Sequence, residues 1–159
     1  MNSAEIITIG DELLIGQTVD TNSAWMGMQL SMRGIQVNRI VSISDRREEI
    51  IAALDESLRR VPLVLITGGL GPTSDDITKE TLAEYFGTKL VMSQEVLDEV
   101  TNRITRRNLE MNENNRRQAM VPESCRVLAN HAGTAPAMLF EKEGRIIVSM
   151  PGVPSEMKH

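Results

Sequence analysis

Leu63 to Thr67 is a nearly continuous apolar run of strand length that leads directly into Gly68-Gly69-Leu70-Gly71. A run so short and unrelieved needs cover on both faces, which is the situation of an inner strand in a parallel sheet clothed by helices. Two further segments suit the same sheet: Ala4 to Ile9, a β-branched run closed by Gly10, and Val37 to Ile43. Between them Trp25, Met28 and Met32 recur at helical spacing, which predicts a helix from Asn22 to Arg33 ended by Gly34. Asp45 followed by Glu48 reads as a capping box for a helix to Arg60, whose Ile50, Ile51, Leu54 and Leu58 share a face. This β-α-β-α order predicts an α/β fold.

The alternation continues beyond the glycines. Asp76 is placed to cap a helix through Phe86 that Gly87 closes, and a short strand over Leu90 to Met92 precedes a helix opened by Ser93. Arg103 to Arg117 is strongly polar and reads as a solvated helical face. Ala137 to Phe140 and Arg145 to Ser149, joined by Glu-Lys-Glu-Gly, predict a hairpin, so the sheet is expected to be mixed. Ser155 resembles a helix N-cap, yet the chain stops at His159 before two turns could form, which predicts a piece of a longer protein.

The 159 residues suit one domain spanning 1–159. A net charge of -5 argues against broad attraction to nucleic acid or anionic lipid. Cys125 is the only cysteine, so neither a disulfide framework nor a paired-cysteine zinc site is available, and a cytoplasmic location is expected. The apolar stretch Ile6 to Ile9 is too short for a signal sequence or a membrane span, so Met1 is expected to be the start and no membrane partner is foreseen.

Chemistry is expected in Thr67-Gly-Gly-Leu-Gly-Pro-Thr-Ser-Asp-Asp76, between an inner strand and a helix. Glycines let backbone amides approach an anion, and in an open α/β sheet ligands sit outside the carboxyl ends of the strands. The loop is no Walker motif, because the Gly-Lys-Ser/Thr is missing, and no dinucleotide fingerprint, because Ser74 stands at the last glycine. The plain alternative is a tight turn with Asp76 as a cap. Met150-Pro-Gly-Val-Pro-Ser155 repeats the strand-glycine-proline-hydroxyl device. Asp11, Glu12, Asp45, Asp75 and Asp76 all follow strands, so they gather at one sheet edge if the strands are parallel. Carboxylates beside a phosphate nest imply a bridging, magnesium-like divalent cation.

Gly10-Asp-Glu-Leu-Leu-Ile-Gly16 with Asp20-Thr-Asn-Ser23, Gly68 to Glu80, Asn115 to Pro122, Asn130 to Pro136 and Pro151 to Met157 resemble the N-terminal domain of the CinA competence/damage-inducible proteins, in the molybdopterin-binding (MoCF) superfamily. Ala137 stands where that family usually has glycine. The resemblance implies a three-layer α/β/α sandwich with a mostly parallel mixed sheet, commonly oligomeric. It implies hydrolysis of ADP-ribose to AMP and ribose 5-phosphate with a divalent metal. In the longer proteins a C-terminal amidohydrolase domain acting on nicotinamide mononucleotide follows. On that basis Gly68, Gly69, Gly71, Pro72, Thr73, Ser74, Asn22, Asn130, Gly133, Thr134 and Gly152 are expected to bind substrate. Asp11 and Asp76 are expected to hold the metal, and Asp76, Asp45 and Glu12 to act in catalysis. The alternatives are a molybdopterin-binding domain of the cofactor-biosynthesis type and a non-catalytic nucleotide-binding regulatory module.

Overall fold

A computed structural model describes residues 2–73 and 75–158. In chain order the elements are β1 (Ser3–Ile9), α1 (Asp11–Leu14), α2 (Thr21–Met32), β2 (Gln36–Ile43), α3 (Arg47–Arg60), β3 (Leu63–Thr67) and α4 (Thr78–Tyr85). They continue with β4 (Leu90–Met92), α5 (Gln94–Arg106), α6 (Glu113–Gln118), β5 (Met120–Pro122), β6 (Arg126–Leu128), β7 (Ala137–Lys142), β8 (Arg145–Met150) and α7 (Pro154–Met157). The main sheet has six strands in the order β2-β1-β3-β8-β7-β6. β2, β1, β3 and β8 run parallel, while β7 lies antiparallel to both β8 and β6. The expected mostly parallel mixed sheet is what forms.

Period-two alternation sends each strand's side chains to two cores. Ile7, Ile9, Val64, Ile66 and Ile147 meet Ile50, Leu54 and Leu58 of α3 and Leu82 of α4 on one face. Ala4, Ile6 and Leu63 meet Met26 and Leu30 of α2 and Met157 of α7 on the other. Helices on both faces make the three layers. A third, smaller core joins Val96, Val100 and Ile104, successive turns of α5, to Ala119 and Val121 beside the unforeseen two-stranded β4-β5 sheet.

Several local expectations are corrected. The buried face of α2 carries Asn22, Ser23, Met26 and Leu30, whereas Met28 and Met32 are 53% and 74% exposed. The helical spacing is right, but the face that matters is the one with the polar pair. Asp45 does not cap α3; Arg46 occupies that position without a side-chain cap bond. Asp76 likewise does not cap α4, whose first turn follows Ile77. Ser155 lies inside α7, entered through Val153 and Pro154. The β7-β8 turn is only Glu143-Gly144, both at positive φ, as a two-residue hairpin requires. The polar Arg103–Arg117 stretch is broken, with α5 ending at Arg106 and α6 starting at Glu113.

Among the described residues Glu5 is the one buried carboxylate, 1% exposed. It accepts from Ser57 Oγ at 2.7 Å and from Arg60 Nε and Nη2 at 2.7 and 2.9 Å. The Arg60 bonds hold its pKa below the ordinary value, against the opposing pull of burial. A lowered carboxylate pKa means that the unfolded chain binds the proton more readily, so this stabilisation is present above about pH 4.5 and fades as acid protonates Glu5. Arg60→Ala should be destabilising, because it leaves the buried Glu5 carboxylate with Ser57 as its remaining side-chain partner among the described residues. A lower urea midpoint for Arg60→Ala than for the parent at neutral pH checks this. Glu5→Gln should flatten the acid limb of stability below about pH 4.5.

Candidate functional site

β1 and β3 are neighbours, but the chain leaves β1 toward β2 and returns to β3 on the other side. Crossovers that diverge in this way leave a crevice at the carboxyl ends of the two strands. A cleft of about 400 Å3 opens there, walled by Gly10 and Glu12 after β1, Asp45 after β2, Gly68 to Gly71 and Asp76 after β3, Gly152 after β8, and Asp20 and Asn22 at the start of α2. The sheet topology alone brings these distant segments together.

Close backbone contacts shape the floor. Gly68 has φ of 112°, and a Cβ there would collide with the Ile9 carbonyl oxygen. A Cβ on Gly152 would stand 3.3 Å from Gly68 Cα, so the exits of β1, β3 and β8 meet almost without side chains. Asn22 fastens the junction. Its Nδ2 donates to the Gly152 carbonyl at 2.7 Å and to Thr67 Oγ1 at 3.2 Å, while Thr67 Oγ1 donates to the Pro151 carbonyl at 2.8 Å. Asn22 Oδ1 is buried with no partner, as is Thr78 Oγ1 behind Gly69. The backbone N–H groups of Gly69, Leu70 and Gly71 also have no acceptor among the described residues.

The carboxylates are arranged unequally. Asp45 Oδ2 accepts from the Asp11 amide at 3.1 Å, and the Asp45 amide reaches Asp11 Oδ1 at 3.4 Å. Asp11 is thus occupied in joining the β1 and β2 exits and does not wall the cleft. Burial raises the Asp45 pKa above the ordinary carboxylate value; the Glu12, Asp11 and Asp76 charges add to this, and the Asp11 amide opposes it. Asp76 accepts from the Thr73 amide at 3.0 Å and from the Thr73 hydroxyl, closing the turn. Among the described residues no three His, Cys, Asp or Glu side chains form a ready-made metal group. Of the two carboxylates expected to share a metal, only Asp76 lines the cleft.

Of the residues expected from the sequence, the cleft gathers Glu12, Asn22, Asp45, Gly68, Gly69, Gly71, Asp76 and Gly152. Pro72 and Thr73 lie on the outer side of the glycine turn, beside Lys79 and Arg117. Ser74 lies outside the described residues. Asn130, Gly133 and Thr134 stand away from the cleft. Asn130 is buried, donating to the Ala135 carbonyl and Glu156 and accepting from the Ala132 and Gly133 amides, so it braces its own loop against α7. Thr67 joins the wall from the expected loop, and Asp20 joins it without having been assigned a role. Asp20 caps α2 by accepting from the Ser23 amide, and Thr67 is the polar last residue of an apolar strand; both signals are legible in the sequence.

A family model described as "Probable molybdopterin binding domain" matches residues 5–159. The chain is 50% identical over 155 residues to a CinA-like protein of Cytophaga hutchinsonii and 47% identical over 157 residues to one of Flavobacterium psychrophilum. These alignments cover 98% of the chain but only 37% and 38% of the two relatives, so it spans little more than a third of their length. Among solved structures it resembles CinA of Thermoplasma acidophilum, with a TM-score of 0.89 and 35% identity over 99% of this chain and 92% of that one. It also shares its fold with the tungsten cofactor synthesizing protein MoaB of Pyrococcus furiosus, with a TM-score of 0.64 and 20% identity over 99% and 86% of the two chains. No helix among the described residues is long and apolar enough to cross a membrane. Its matched residues, its relatives and its cleft at the β1–β3 switch point agree: the chain belongs to the molybdopterin-binding domain family, in its CinA group.

Proposed function

We propose that the cleft binds a phosphorylated small molecule of the pterin or nucleotide class, its phosphates on the glycine turn and its hydrogen-bond donors toward Asn22. The observation that carries this reading is that, among the described residues, the N–H groups of Gly69, Leu70 and Gly71 have no acceptor, in a cleft whose buried Asn22 Oδ1 also lacks a partner among them. Successive free amides form an anion nest, and a buried acceptor without a donor is satisfied by whatever enters. A molybdopterin-like ligand supplies both kinds of group, ring N–H donors and a phosphate. Membership of the molybdopterin-binding family supports that class.

A second reading, hydrolysis of the pyrophosphate bond of ADP-ribose to AMP and ribose 5-phosphate, is favoured by Asp45. A carboxylate with a raised pKa, held by the Asp11 amide on the cleft wall, is suited to take a proton from an attacking water. Water then adds across the anhydride, its oxygen going to one phosphorus and the bridging oxygen leaving with the other. Asp76 would hold a divalent ion, which supplies neutralising charge for the diphosphate. Glu12, on the same wall, would orient the water.

Two measurements check these readings. Calorimetry with molybdopterin and with ADP-ribose, magnesium present, should show one saturable site for at least one of them. Asn22→Ala should weaken it about tenfold through the lost buried hydrogen bond. Absence of binding by both compounds removes the cleft reading. AMP release from ADP-ribose over a panel of divalent ions separates the second reading: Asp45→Asn should slow it by about 10²–10⁴-fold, and Asp76→Asn should abolish it. Binding without turnover in every metal leaves only the first reading.

A further inference from the structure

The last turn of α5 and the Asn130-His131 loop enclose a second concavity, of about 540 Å3, on residues that the cleft does not use. Its walls include Arg103, Arg106, Arg107 and His131, with Glu99 as the one carboxylate. Arg103 is anchored, its Nη2 donating to the His131 carbonyl at 2.6 Å, which binds the end of α5 to the facing loop. Arg103, Arg106 and Arg107 take part in none of the ion pairs among the described residues. Arginines near a helix C-terminus are favoured by the helix dipole, and that would account for their presence on α5. It does not account for three of them lining one hollow opposite a loop that the Asn130 bonds to Ala132, Gly133, Ala135 and Glu156 hold together.

We propose that this hollow is a second anion site, which takes a compact, multiply charged anion of the di- or triphosphate kind. Guanidinium groups are planar forks that match phosphate oxygens in pairs, and Arg106 and Arg107 are exposed with no carboxylate committed to them. The hollow has the volume of a small-molecule site. An extended polyanion such as nucleic acid is disfavoured, because the chain as a whole carries a net charge of -5 and would repel whatever projected beyond the hollow. The site does not depend on the reading of the first cleft, since the two share no wall residue.

The test is a titration of the ¹⁵N-labelled chain with inorganic pyrophosphate, without divalent ions, followed by backbone amide shifts. Saturable shifts are expected at Arg106 to Asn108 and at His131 and Ala132, a set separate from the Gly69 to Gly71 amides that report the first cleft. Arg106→Glu combined with Arg107→Glu should weaken binding at the first set by about tenfold or more while leaving any cleft shifts in place. Arg33→Glu combined with Lys89→Glu changes net charge equally on surfaces away from both sites and should leave the affinity within about twofold. The proposal is overturned if sodium chloride at matched ionic strength produces the same shifts, or if the two double variants behave alike. It is equally overturned if the α5 and His131 amides do not move. Shifts confined to Gly69–Gly71 would sustain the first cleft alone, and shifts confined to α5 and the loop would sustain only this one.

Discussion

The structure depends on the meeting of three strand exits almost backbone to backbone. Gly68 sits under the Ile9 carbonyl and against Gly152, where any side chain would force the exits of β1, β3 and β8 apart. Asn22 then ties α2 to both β3 and β8 through the Thr67 hydroxyl and the Gly152 carbonyl. The cleft exists because this junction is tight. Its floor is close-packed backbone, and the polar groups left over, the Gly69 to Gly71 amides and Asn22 Oδ1, have no hydrogen-bond partner among the described residues. The glycines therefore serve the protein's own packing first, and the amides proposed to bind an anion are what that packing leaves over.

The same junction explains the unequal carboxylates. Asp11 and Asp45 exchange backbone-to-side-chain bonds across the ends of β1 and β2, which turns one carboxylate into a strut and leaves the other facing the cleft. Asp76 is held by the Thr73 amide and hydroxyl, so the turn after β3 presents it in a set position. Asp11, Asp45 and Asp76 are fixed by backbone amides, and none of the three takes part in an ion pair among the described residues. Glu5 shows the contrast: where the fold needs a buried carboxylate only for stability, it supplies Arg60 and Ser57.

The two concavities divide the charge of the molecule. The first gathers acids and free amides at the parallel strand ends, and the second gathers arginines between α5 and the Asn130-His131 loop. The α5 lobe rests on its own small core, Val96, Val100 and Ile104 against Ala119 and Val121, so its outer face is available without disturbing the sheet.

The strands, most of the helices and the place of the glycine loop were legible from residue order, because apolar runs and helical spacing are local signals. So was the gathering of acids at one edge, since parallel strands of a doubly wound sheet point their carboxyl ends the same way. The family motifs led to Asn22, Gly152 and Asp76 in the cleft. Which face of α2 is buried was not legible: Met28 and Met32 look like core by spacing, but the Asn22 side must face the Thr67-Gly152 junction, and that junction forms only when segments more than forty residues apart meet. The roles of Asp45 and Asp76 also belong to tertiary structure. Both read as helix caps from spacing to their downstream neighbours, yet both accept from amides upstream of the helices, Asp45 from across the sheet edge and Asp76 from within its own turn. Local sequence determined which segments become strands and helices. Only the packed sheet decided which polar atoms lose their partners, because partner loss depends on contacts that residue order does not record.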